Sequence, residues 1–96
     1  MYQVVTYDVN TETKEGRRRL RRVAKTCEGF GFRVQHSVFE CSLSEEQFFR
    51  LKDRLLAIID RDTDSLRFYR IHEPHDENIE EYGISNVPGP DSPLVL

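Results

Sequence analysis

The chain has 96 residues, of which 38% are hydrophobic and 32% charged, a balance that fits one folded domain with a modest core and excludes a disordered chain. No apolar run approaches the roughly 20 residues that a membrane helix needs, and Asp8 and Glu12 interrupt the stretch where a leader peptide would be apolar, so a cytoplasmic protein is expected. The net charge of -3 conceals two halves of opposite sign, with Lys14, Arg17, Arg18, Arg19, Arg21, Arg22, Lys25 and Arg33 early and mostly acidic residues from Asp60 onward, which predicts one surface for a polyanion.

The first ten residues read as a strand, because Val4, Val5, Tyr7 and Val9 favour extended backbone. Alternation puts Tyr2, Val4, Thr6 and Asp8 on one face and Gln3, Val5, Tyr7 and Val9 on the other. Asp8 is unusual in such a run, since Asp is depleted in strands and costly to bury unpaired. From the residues alone it either ends the strand beside the turn formers Asn10 and Thr11 or serves as a functional carboxylate.

A polar loop follows, in which Thr11 or Thr13 can cap a helix. Leu20, Val23, Ala24 and Cys27 recur at helical spacing over residues 17–29, and Gly29 and Gly31 end the helix. Six basic residues fall within positions 17–25 with no acid among them. Like charges so crowded repel one another unless a polyanion is near, so phosphate contacts independent of base sequence are expected.

Residues 32–43 alternate as one long strand, or two strands joined at a bend near His36 and Ser37. Ser44 and Gln47 form a capping box for a second helix running to about Arg61, with Phe48, Leu51, Leu55 and Ile58 as its core stripe. A turn over 60–64 leads to a third strand, Ser65–Ile71. Residues 72–78 are a loop, 79–84 are expected as a short strand, and 87–93 are rich in Pro and Gly. The apolar end, Leu94, Val95 and Leu96, is expected to cover a sheet edge, either its own or that of a second copy. Cys27 and Cys41 have apolar neighbours and no metal-ligand spacing, so they are expected as reduced core thiols. His36 is expected in the core or at an edge, and His72 and His75 in a solvated loop.

The element order predicts an α+β, ferredoxin-like βαββαβ fold: an antiparallel sheet with two helices on one face. Residues 1–78 form the domain, and 79–96 form an extension that packs on the sheet edge or on a partner protomer.

Three stretches carry a resemblance to a known family. A terminal strand ending Tyr7-Asp8-Val9, the arginine-rich first helix, and Arg33-Val34-Gln35-His36-Ser37-Val38-Phe39-Glu40 resemble the CRISPR-associated "Cas two" family. The strand from Ser65 and the apolar end also fit, so the resemblance covers nearly the whole chain. It implies a homodimer of ferredoxin-like protomers that works in CRISPR adaptation, an antiviral defence, together with an integrase subunit. It implies a metal-dependent endonuclease cutting phosphodiester bonds of RNA or double-stranded DNA at the dimer cleft. By matching position, Asp8 is the magnesium ligand and catalytic residue, with Tyr7 beside it. Arg17, Arg19, Arg33 and Phe39 match positions that support activity in some members. With Arg18 the arginines are the expected nucleic-acid contacts, and Phe39 is a supporting or dimer-interface residue.

Magnesium takes one or two carboxylates plus waters, and it both activates a water and neutralises developing charge. One Asp per chain makes a poor site; two Asp8 residues across a dimer axis make a credible one. The alternative is an architectural subunit without catalysis, which bridges the integrase and clamps prespacer DNA. Both readings use the arginines, and only the first requires Asp8.

Overall fold

The alternating terminal segment forms strand β1, Tyr2–Asp8, in a computed structural model that describes residues 1–84. Its Gln3, Val5, Tyr7 and the following Val9 are buried and face the helices, while Asp8 is exposed on the opposite side. Helix α1 spans Lys14–Glu28 and starts where the Thr13 side chain accepts the Gly16 N–H. It ends at Gly29, as the sequence predicts.

The stretch from 32 to 43 divides into β2, Phe32–Gln35, and β3, Val38–Ser42. Gln35 pairs with Val38, so His36 and Ser37 make a tight two-residue turn. The bend near His36 and Ser37 is thus the one of the two expected arrangements that forms, and His36 is an exposed turn residue instead of the core or edge residue expected. Gly31 precedes β2 because a Cβ there would lie 2.5 Å from the Cys41 sulfur.

Helix α2 covers Glu45–Ile58, opened by the expected capping box, in which Ser44 N–H donates to Gln47 at 2.9 Å and Gln47 N–H to Ser44 at 3.1 Å. It stops three residues before Arg61 because Ile59 turns extended and packs against the core, while residues 60–64 close on themselves through the Asp60 carbonyl. Strand β4, Ser65–Ile71, follows. A single 3-10 turn over His75–Glu77 comes next, and residues 79–84 form no strand, since nothing among the described residues pairs with them. The Pro- and Gly-rich stretch and the apolar end lie outside the described residues.

The sheet order is β2-β3-β1-β4, antiparallel throughout, with both helices on one face. Val5, Tyr7, Val23, Phe39, Cys41, Leu51 and Leu55 form the centre of the core between sheet and helices. Cys27 and Cys41 are both buried and free, and burial pushes their thiols up to about 12 and about 11, so they stay protonated. No helix among the described residues is long and apolar enough to cross a membrane.

Candidate nucleic-acid site

Pleating decides what shares a face with Asp8. The face opposite the helices carries Tyr2, Val4, Thr6 and Asp8 from β1, Val38, Glu40 and Ser42 from β3, and Ser65, Arg67, Tyr69 and Ile71 from β4. Asp8 stands at one end of this open face, directly across from Ser65. Glu40 pairs with Val4, four residues along β1 from Asp8, and accepts the Tyr2 hydroxyl at 2.5 Å, so it serves the other end of the face. Tyr69 is 44% exposed there, and Arg67 donates to its hydroxyl at 2.8 Å. Phe68 points the other way and meets Phe48 edge-on.

Tyr7 follows the opposite course. Its side chain enters the core, stacks near Phe39 with ring centroids 6.3 Å apart, and donates its hydroxyl to the His36 carbonyl at 3.3 Å. Burial raises the phenol's pKa, and Arg33 offsets part of that rise. Tyr7 and Asp8 are thus neighbours in sequence that face opposite sides of the sheet. Arg33 lies over the Phe39 ring at 5.2 Å. Phe39 has no exposed surface, which gives it a supporting place in the core and leaves no side-chain surface for an interface.

The arginines of α1 divide. Arg18, Arg21, Arg22 and Lys25 recur at i, i+3, i+4 and i+7, are exposed, and point directly away from the buried stripe of Val23 and Cys27. Their side chains make no hydrogen bond or ion pair among the described residues. They form a basic ridge about 10 Å long on the outer surface of the helix layer. Arg17 instead donates to the Thr11 carbonyl at 3.2 Å. Arg19 turns inward, and its Nε donates to Asp64 at 2.8 Å, the Asp64 side chain being 0% exposed.

Asp64 is the residue that sequence reasoning passed over. Its carboxylate also accepts the Asn10 N–H at 3.0 Å, the Asp60 N–H at 2.9 Å and the Thr63 hydroxyl at 3.2 Å. Burial alone would raise its pKa, but the hydrogen bonds from Arg19, Asp60, Asn10 and Thr63 outweigh burial and lower it to about 2. In the sequence it looks like one more acid in an Asp-rich turn, and no local signal distinguishes it.

The described residues of one chain do not by themselves make a metal site. Asp8 is a single exposed carboxylate, and the described residues contain no group of three His, Cys, Asp or Glu placed to hold an ion. The basic ridge and Asp8 also lie on opposite sides of the fold, one outside the helix layer and the other on the open sheet face.

Comparison with known proteins places these features in context. The family model described as CRISPR associated protein Cas2 matches residues 1–79. A protein of Moorella thermoacetica named CRISPR-associated endoribonuclease Cas2 1 is 56% identical over the full length of both chains. A CRISPR-associated endoribonuclease Cas2 of Chlorobaculum tepidum is 47% identical, also over the full length of both. Among solved structures, Streptococcus pyogenes Cas2 at pH 6.5 superposes with a TM-score of 0.77 at 53% identity, covering 86% of this chain and 100% of that one.

Proposed function

The chain belongs to the CRISPR-associated Cas2 family, and from that premise we propose that it is a magnesium-dependent endonuclease of CRISPR adaptation whose cutting site is completed by two copies of Asp8. The substrate is RNA or double-stranded DNA, and the setting is the cytoplasm. The relatives named endoribonuclease support the nuclease class. The observation that carries the reading is the position of Asp8: an exposed carboxylate at the end of an otherwise uncharged strand, on a sheet face that no helix covers. A second copy laid against that face brings a second Asp8, and the pair meets the one-or-two-carboxylate preference of magnesium. Bound there, the ion would supply an activated water and neutralise charge at the phosphate. The chain's own residues orient Asp8, present phosphate-binding arginines, and keep Tyr7 and Phe39 packed beneath the strand.

A second reading rests on a different observation. The ridge of Arg18, Arg21, Arg22 and Lys25 faces away from Asp8, so a duplex held on it lies far from the carboxylate of the same protomer. This favours an architectural subunit that clamps DNA and bridges the integrase without cutting. One experiment separates the two. The purified protein and its Asp8→Asn variant are assayed for cutting of duplex DNA and RNA with magnesium and with chelator, and both are assayed for spacer acquisition in cells. Cutting that needs both magnesium and Asp8 supports the nuclease. Acquisition that survives Asp8→Asn supports the architectural role.

A further inference from the structure

We propose that Arg19 and Asp64 form a positioning pair that sets where Asp8 stands, so that Arg19 serves the site from inside the fold and not as a phosphate contact. The inference rests on the reading of Asp8 as the reacting carboxylate.

Three elements meet at the Asp64 carboxylate. Asn10, two residues beyond Asp8, donates its N–H at 3.0 Å and so fixes the path of the chain leaving β1. Asp64 itself immediately precedes Ser65, the residue across from Asp8 in the β1–β4 ladder. Arg19 joins from α1 through Nε at 2.8 Å and through a second guanidinium nitrogen at 3.4 Å. Both strand ends that flank Asp8 are therefore tied to one enclosed carboxylate, and that carboxylate is tied to the helix.

The arrangement is costly unless complete. A carboxylate with no exposure must be paired and hydrogen-bonded, and removing one partner leaves an uncompensated buried charge. Two strand ends held by it cannot drift independently. A carboxylate displaced by about 1 Å can lower turnover as much as a hundredfold. Arg19 cannot hold this geometry and also reach a phosphate outward, whereas Arg18, on the outer ridge, can.

The test compares Arg19→Ala, Arg19→Lys, Asp64→Asn, the Arg19→Ala/Asp64→Asn double variant and Arg18→Ala in the full chain. For each, kcat and KM on RNA and duplex DNA, affinity as a function of salt, and the backbone amide resonances of Asp8, Val9 and Asn10 are measured. Arg19→Ala and Asp64→Asn are expected to lower kcat by about tenfold to a hundredfold with KM and salt dependence unchanged. They shift the three amide resonances, and the double variant is no worse than the poorer single one. Arg19→Lys restores part of kcat and, being the milder change, carries the test if Asp64→Asn does not fold. Arg18→Ala weakens affinity and flattens its salt dependence. The proposal is overturned if Arg19→Ala instead weakens binding with a flatter salt dependence, as Arg18→Ala does, or if the resonances of Asp8 to Asn10 stay in place. If the wild-type protein does not cut, the nuclease reading fails, while the binding and resonance measurements still decide the role of Arg19.

Discussion

Asp8 stands directly across from Ser65 in the β1–β4 ladder, one residue from the enclosed carboxylate of Asp64. The exposed acid has the environment of a ligand in waiting, and the buried acid next to its partner strand has that of a structural anchor. The same residue type thus stands in two environments a few ångströms of backbone apart, separated by exposure and by hydrogen-bond count.

Replacing Asp8 should separate activity from stability. Asp8→Asn is expected to lower magnesium-dependent cutting on the order of a hundredfold, since the metal's contribution amounts to several kcal/mol. Because Asp8 is exposed, the unfolding free energy should change by no more than about 0.5 kcal/mol. Chemical denaturation beside the cutting assay checks both, and a large loss of stability would contradict the exposed placement.

Asp64 makes stability depend on acid. Its folded pKa of about 2 lies below the ordinary carboxylate value of 3.8. A depressed pKa stabilises the fold fully above the unfolded value, and that contribution disappears as pH falls from about 4 through about 2. The loss attributable to this group is confined to that acid window. Unfolding curves from pH 5 to pH 2 should show it in the wild type, and Asp64→Asn should be less stable near neutrality with a shallower acid decline.

Two glycines, Gly16 in the first turn of α1 and Gly29 at its C-cap, should respond in opposite directions. A Cβ at Gly16 would overlap the Asn10 carbonyl oxygen, so Gly16→Ala should destabilise and displace the loop beyond Asp8 despite the better helix propensity of Ala. A Cβ at Gly29 would lie 3.4 Å from the Thr26 oxygen, an ordinary contact, and its backbone is right-handed helical. Gly29→Ala should therefore be neutral or stabilising by up to about 1 kcal/mol. Thermal melts of the two variants read the difference.

The outer ridge should govern salt dependence. For every phosphate that Arg18, Arg21, Arg22 or Lys25 no longer neutralises, the slope of log affinity against log salt should flatten by about 0.9 on duplex DNA. Substituting all four by Gln should weaken duplex and single-stranded binding alike, because phosphate contacts carry no base information. Titrations at several salt concentrations measure it; a slope that does not move would remove the ridge from binding.

Phe39 tests the core beneath the site. It has no exposure and supports both Tyr7 and Arg33. Phe39→Leu should cost about 1–2 kcal/mol, and Phe39→Ala about 3–5 kcal/mol, the range for emptying a large buried site. Phe49→Ala, at a side chain 47% exposed, should cost well under half of that.

Local chemistry in the sequence was enough for much of this protein. Alternation assigned the two faces of β1, the Ser44–Gln47 box opened α2, apolar recurrence placed α1, and the density of Arg from 17 to 25 announced an exposed basic surface. These signals act within a few residues, so they can be read from periods of two and 3.6 and from capping patterns. The tertiary structure decided what lies beyond that range. It turned Tyr7 away from Asp8, placed Phe39 wholly inside, made a hairpin turn of His36, and divided three consecutive arginines between a loop brace, an outer ridge and an internal ion pair. Arg19 meets Asp64 across 45 positions of sequence, and no local pattern encodes that contact. Only the fold brings the two together, and the Asp64 charge is held because Arg19 of α1, Asn10 after β1, and Asp60 and Thr63 of the turn before β4 all donate to it.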